Sequence, residues 1–375
     1  VPPCGEHWQG DGAPISSTSP WQPAVRGCRL RPAGERWTVR GPGGRVVSWD
    51  VVDATRSVRG VVRRADSVQI GALSTHRLAD AAALMAAEHR CVGVAAATGF
   101  SDEVVCLRSL DELHQDGCAG YVAEVDDELV GLLCVRLGPP VGFVPAHGFA
   151  TRARDPDPTS IVVAMLAVAT PDLIDAGVER ITIDHIATQA PRVALHDAGF
   201  GIGAVFAVRS TEPLSMTETP VEVRTATFDD LESIAELSHI ELRYRSEAPM
   251  HASGAERSLG DTRAHHAELF ENGCVHLVAS LRGRDVGLLT LETNSPAPRL
   301  CAHGAHIGPT ATRDDVRGLG VGTALVSAAL DEARTQGHRQ LSVDFDSRNP
   351  LSRPFWLGLG FVATGYRQRR VIRRN

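Results

Sequence analysis

Two hydrophobic periods alternate along the chain from Val68 onward. Together they predict the order strand, helix, strands, helix, strand, helix, strand, which starts again after Thr219. Short apolar runs bounded by turn residues read as strands, whereas apolar residues at i, i+3, i+4 and i+7 read as helices with one buried face. In the second block, Val221 to Val223 opens a strand and Asp229 or Asp230 caps a helix running to about Arg245. Cys274 to Leu281 and Val286 to Thr293 form an antiparallel pair around the Arg282 to Asp285 turn. Ala305 to Thr312 is the next strand, Gly320 to Gln336 a helix closed by Gly337, and Gln340 to Phe345 a central strand. Pro350 to Gly358 and Phe361 to Val371 supply a last helix and a last strand. The expected class is α/β in the mixed, α+β sense, with each block a mostly antiparallel central sheet flanked by helices.

Four local matches make the second block a repeat of the first. Val130-Gly131-Leu132-Leu133 recurs as Val286-Gly287-Leu288-Leu289, and His147 is echoed by His306. Ile181-Thr182-Ile183-Asp184 matches Leu341-Ser342-Val343-Asp344, and Gly199-Phe200 matches Gly360-Phe361, all at a steady offset of about 160 residues. Residues 67–210 and 219–375 are therefore expected as two domains, with Ser210 to Pro220 as the linker. Val1 to Asp66 shows no sustained period and carries Pro and Gly clusters, so an unstructured extension is expected there.

Composition narrows the function classes. A chain of 375 residues exceeds what one core usually organises. The net charge of -7 supplies no electrostatic reason to bind nucleic acid. No apolar run reaches the roughly 20 residues that span a bilayer, and a cytoplasmic protein without membrane partners is expected. All 38 basic residues are arginine, which fits a high-GC bacterial coding sequence and removes lysine from any chemistry. The eight cysteines lack a CxxC pair and read as reduced thiols, and His251, His265 and His266 lack metal-site spacing, so no metal is expected.

The strongest local signal is Arg317-Gly318-Leu319-Gly320-Val321-Gly322-Thr323, set between a strand and an amphipathic helix. Alternate glycines let a backbone approach an anion, and the helix beyond offers unpaired N–H groups and the positive end of its dipole. A tight turn needing positive φ explains the same glycines, so context decides. The Rossmann alternative expects an acidic residue about 20 positions on and a different strand order.

Arg317 to Gly322 resembles the R/Q-x-x-G-x-G/A pyrophosphate loop of the GNAT N-acyltransferase superfamily. It is preceded by the strand His306 to Thr312 and followed by Asn349-Pro350-Leu351-Ser352 and Phe355-Trp356-Leu357-Gly358-Leu359-Gly360-Phe361, which resemble the N-x-x-A/S-x-x-F-Y-x-x-x-G-F element. The resemblance implies two tandem GNAT folds, with acetyl-CoA as co-substrate of the second. Ala311 and Thr312 would face the pantetheine arm, and Val316, Arg317, Gly318, Leu319, Gly320, Val321, Gly322 and Thr323 would wrap the pyrophosphate. Asn349, Ser352, Phe355 and Trp356 would complete the coenzyme site, with a helix cap before Pro350 as a second role for Asn349 that can hold beside the first. Trp356 stands where many relatives carry tyrosine, so the phenol often proposed as general acid is missing. His306, Glu292 and Asp344 are the candidate catalytic groups, and Tyr366 a possible substitute acid.

The first repeat has Arg152-Ala153-Arg154-Asp155-Pro156-Asp157-Pro158 where the glycine loop belongs. Aspartates repel a pyrophosphate and prolines remove amide donors, so a scaffold role is expected. The favoured function is transfer of an acetyl group to a small-molecule amine by direct attack, in a monomer or homodimer. A non-catalytic acyl-CoA sensor, and a transferase acting on a peptide or protein amine, are the alternatives.

Overall fold

The computed structural model describes residues 36–40, 46–50, 68–91, 99–152, 157–215, 219–247, 250, 257–293 and 304–372. Within the segment expected to be unstructured, β1 (Arg36–Arg40) and β2 (Val46–Asp50) pair antiparallel, with Trp37 opposite Trp49 and Val39 opposite Val47. Alternating apolar residues around Gly41-Pro42-Gly43-Gly44 account for that hairpin. The rest of 1–66 lies outside the described residues.

The first repeat runs β3 (Gln69–Ala72), α1 (Leu78–Arg90), α2 (Glu103–Gln115), β4 (Ala119–Val125), β5 (Glu128–Gly138), β6 (Val141–Val144), β7 (Phe149–Thr151), α3 (Pro158–Asp175), β8 (Arg180–Ile186), α4 (Gln189–Asp197) and β9 (Gly201–Ser210). The second runs β10 (Glu222–Thr225), α5 (Leu231–Ser246), α6 (Leu259–Glu271), β11 (Val275–Leu281), β12 (Arg284–Glu292), β13 (Gly304–Thr312), α7 (Val321–Thr335), β14 (Gln340–Asp346), α8 (Ser352–Gly358) and β15 (Val362–Val371). The order is the same twice, with β6 and β7 together standing for β13. Helix α3 is long and apolar enough to cross a membrane by length and composition, but Ile161, Met165 and Leu173 bury it against the sheet residues Ala123, Val130 and Leu133.

The compact units do not coincide with the repeats. One comprises Ala204–Thr364, the other Trp21–Gly203 together with Gly365–Asn375. In the first of these units the strand order is β10-β11-β12-β13-β14-β9, because β9, the last strand of the first repeat, pairs antiparallel with β14 from Ala204 opposite Asp346 to Ser210 opposite Gln340. In the other unit β15 pairs antiparallel with β8, from Gly365 opposite Ile186 to Val371 opposite Arg180. The expected boundaries at 210 and 219 therefore give way to an exchange of terminal strands, which the linear order of elements could not reveal.

The repeated Val-Gly-Leu-Leu tetrad has a packing cause. A Cβ placed on Gly287 would lie 2.7 Å from Val321 Cγ1 and 3.0 Å from Leu325 Cδ1 of α7, and one on Gly131 would lie 2.6 Å from Ile161 Cγ2 of α3. In each repeat the missing side chain lets a helix settle onto the sheet. The next residue, Leu288 or Leu132, points to the opposite face and packs with α5 or α1.

Under α5 and α6, His266 Nδ1 lies 3.0 Å from His276 Nε2, and Phe270 stacks on His276 with ring centroids 4.1 Å apart. Both histidines are fully buried, and burial pushes His266 down to about 3 and His276 down to about 4. In the unfolded chain each titrates near about 6.5. Between those values the unfolded chain binds more protons, so stability is full above about pH 6.5 and falls as the pH drops toward the folded values.

Denaturant unfolding at pH 5 should therefore show about 2 kcal/mol less stability per buried histidine than at pH 7.5, and His266→Leu with His276→Leu should remove about 4 kcal/mol of that dependence. A double variant with the wild-type pH profile would refute this assignment. Replacing Gly287 with valine should cost about 1–3 kcal/mol through overpacking, read as a lower Tm. An unchanged Tm would show that α7 can lift off β12.

Candidate active site

The site begins where two parallel strands part. β13 pairs with β14 only from Gly304 opposite Gln340 to Ile307 opposite Val343, although the strands continue to Thr312 and Asp346. At the same place the β12–β13 register shifts between Leu289 and Leu291, beside Gly308-Pro309. Proline has no amide to donate, so the ladder cannot run on unbroken there. The far edge of β14 stays paired with β9, so the strands separate on one side only.

The glycine segment lies beyond the end of β13. Gly318 and Gly320 take φ of 80° and 84°, a conformation that favours glycine, and a Cβ on Gly318 would meet nothing within 4 Å. Gly320 is the N-cap of α7 without a side-chain cap, and the first helical bond runs from Ala324 N–H to Gly320 O at 2.9 Å. Among the described residues, no loop or cap backbone bond is donated by Gly318, Gly320, Val321, Gly322 or Thr323. The result is an open concavity of amides at a helix N-terminus, which suits an oxyanion group. Arg317 stands beside it, its guanidinium 2.7 Å from Asp314 and 5.2 Å over the Tyr244 ring. Leu319 is exposed and Val316 buried, so the loop is anchored at one end and open in the middle.

His306, Glu292 and Asp344 come together at the parting of the strands. The parallel register sets His306 beside Ser342, and the antiparallel one sets it opposite Glu292. Because Ser342 and Asp344 share a strand face, the imidazole sits between them. His306 Nδ1 lies 3.0 Å from Ser342 Oγ, and Nε2 lies 3.1 Å from Asp344 Oδ1. Ser342 Oγ also reaches Ala305 O at 3.1 Å. The neutral ring donates Nε2–H to Asp344 and accepts the Ser342 hydroxyl proton at Nδ1. The protonated ring donates from both nitrogens while Ser342 turns its proton to Ala305 O. Both protonation states are thus satisfied without moving a heavy atom. The Glu292 carboxylate fills the space over Gly308, where a Cβ would lie 2.9 Å from its Oε1.

One further group belongs to this end of the sheet. Glu241, on α5, is raised by burial, with Arg245 and Arg257 opposing that shift and the Asp344 charge adding to it. Arg245 holds Glu241 at 3.5 Å. Ser342 was legible as the residue two before Asp344 on one strand, but nothing in the helical spacing of α5 singles out Glu241.

Other expected site residues sit differently. Trp356 is buried and edge-on to Phe355 at 4.8 Å and Phe361 at 5.3 Å, so it packs α8 against its own strand rather than facing an opening. Asn349 Oδ1 accepts from Leu351 N–H at 3.0 Å and Ser352 N–H at 3.2 Å, which is the helix-capping role. Phe355 lies across Gly322, where a Cβ would come 3.0 Å from its ring, so that glycine serves packing as well as the loop. Ala311 is buried in the ladder opposite Leu288, with Thr312 opposite Gly287. Tyr366 belongs to the other unit, where its ring lies 5.8 Å from His185 and 5.8 Å from the Arg192 guanidinium. The register of β15 sets it opposite His185 of β8.

The first repeat has the same parting of strands, but filled. β6 pairs parallel with β8 as far as Val144 opposite Ile183, and β7 then follows β5 alone. Phe149 is buried there, 6.2 Å from His185, which is held at 2.7 Å by both Ile186 O and Gln368 Oε1. Asp184, the counterpart of Asp344, is gripped by Arg367 through two contacts of 2.7 Å. Among the described residues, no cluster of His, Cys, Asp and Glu is arranged to hold a metal ion in either unit.

Residues 234–361 match the family model described as acetyltransferase (GNAT) family. No curated protein matches the chain by sequence. A GCN5-related N-acetyltransferase from Sphaerobacter thermophilus is similar in fold at 17% identity and a TM-score of 0.52, over 82% of this chain and 96% of that one. A tandem GNAT protein from the clavulanic acid biosynthesis pathway covers 82% of this chain and 100% of its own at 15% identity and a TM-score of 0.49. The matched span runs from α5 through the glycine loop to Phe361, and the second repeat of this chain is accordingly a domain of the GNAT acetyltransferase family.

Proposed function

We propose that the second repeat transfers an acetyl group from acetyl-CoA to the amine of a small molecule by direct attack. The observation that carries this reading is the amide concavity at Gly318 to Thr323 lying beyond the strand that parts from β14 beside His306 and Asp344. The concavity fits the pyrophosphate of the coenzyme: its amides are free to donate, and the open space at Gly318 admits an oxygen. When bound, acetyl-CoA supplies an activated thioester.

The chain's residues do the rest. The amides at the start of α7 hold the anion, with Arg317 adding charge. Asp344 and His306 form a paired base that takes a proton from the incoming ammonium, since only a neutral amine attacks. Ser342 keeps the imidazole satisfied in both protonation states. Glu292 adds negative charge that favours a cationic acceptor. The buried Trp356 offers no phenol, so protonation of the departing thiolate falls to solvent or to the protonated His306. That same observation favours a second reading, a binder of acyl-CoA without turnover.

Calorimetric titration with acetyl-CoA should give one site per chain, weakened at least tenfold in Gly318→Asp, where aspartate tolerates the left-handed backbone and sets a charge against the phosphate. Two sites, or none, would overturn the assignment. In a thiol-release screen across amines, Asp344→Asn should lower kcat by roughly 100-fold or more. Coenzyme binding without release for any amine would leave the non-catalytic reading.

A further inference from the structure

The first repeat, whose strand parting is filled, carries a separate cleft of about 590 Å3 between α1 and the β4–β5 turn. It is lined by Leu84 and Ala87 and by four carboxylates, Asp80, Glu88, Asp127 and Glu128, with Arg152 at its edge. The volume suits a small organic ligand.

The charges do not balance within the cleft. Asp80 is held by Arg77 at 2.9 Å, and Glu128 is paired with Arg152. Glu88 is 8% exposed and, among the described residues, has no hydrogen-bond or ion-pair partner. A buried carboxylate left unpaired is costly, and such a group is normally protonated or matched by a cation. Asp127, exposed and held at φ 65° in the turn, likewise has no ion pair among the described residues. Two uncompensated carboxylates over an apolar floor of Leu84 and Ala87 are complementary to two ammonium groups joined by methylenes.

We propose that this cleft binds an aliphatic diammonium ion, with Glu88 and Asp127 as its two anionic contacts. The site is independent of the acetyl-transfer reading, since it lies wholly within the unit formed by Trp21–Gly203 and Gly365–Asn375. Burial pushes the Glu88 carboxyl up to about 7, and a bound cation draws it down again. The charged groups facing it are Asp80 on its own helix, Asp127 and Glu128 on the turn, and Arg152 beyond β7, and burial is what holds the proton on. Binding at pH 7 therefore releases protons from Glu88, and the observed heat changes with the ionisation enthalpy of the buffer.

The test is calorimetric titration of the full chain with 1,4-diaminobutane at pH 7 in two buffers, beside Glu88→Gln, Asp127→Asn and, as a control in the other unit, Asp344→Asn. The expected result is one saturable site with proton release. It is weakened at least tenfold by Glu88→Gln and by Asp127→Asn, is weaker for butylamine than for the diamine, and is kept in Asp344→Asn. Glutamine removes a buried charge and asparagine tolerates positive φ, so both variants should melt no lower than the parent. No saturable binding, binding unchanged in Glu88→Gln, or loss of the site in Asp344→Asn would each overturn the proposal.

Discussion

The parting of β13 from β14 after Ile307 and Val343 is the constraint on which the rest of the second repeat depends. A parallel ladder that ends early leaves backbone groups needing other partners, because buried donors and acceptors are rarely left unmade. The irregular register beside Gly308-Pro309 turns β13 away, and the continuous pairing of β14 with β9 keeps the other side rigid. That combination fixes where His306, Ser342 and Asp344 meet, and it directs the chain beyond Thr312 toward the glycine loop. The close seat of α7 on Gly287 then holds the loop's amides in place.

The two repeats show how one backbone plan gives opposite outcomes. In both, a strand pair opens at the corresponding point. In the first repeat Phe149 is buried at the opening beside His185, and Arg367 neutralises the central aspartate. In the second, the matching aspartate meets an imidazole that can accept or release a proton. A guanidinium keeps its charge throughout the working pH range, so the Asp184–Arg367 pair is a fixed structural contact. An imidazole does not, and the same backbone position gains acid–base chemistry.

Much of this was legible in the sequence. The element order, the repeat and the glycine loop all follow from periodicity and turn residues, and most strand and helix limits agree to within one or two positions, as for β14 and α7. The pairing of His306 with Asp344 was anticipated only as membership of one cleft, since strand register depends on partners distant in sequence. Trp356 packs on Phe355 and Phe361 and Asn349 caps the backbone at Leu351 and Ser352, local roles that residue type and spacing already suggested. The exchange of β9 and β15 left no trace in the pattern: an apolar strand reads the same whichever sheet receives it. The register of Tyr366 opposite His185 was therefore out of reach of the pattern. Glu88 was invisible for a related reason, as one glutamate among many on helical surfaces.

The strand exchange also sets the order in which the chain can mature on the ribosome. The unit built around β8 needs Gly365 to Val371 to complete its sheet, so the edge of β8 waits until the second repeat has been made. Through that interval its unpaired N–H and C=O groups are available to other strands, including those of neighbouring nascent chains. Domains usually gain safety by folding one after another as they emerge. Here the first repeat is begun before the second and completed after it, which couples its yield to the translation of the second.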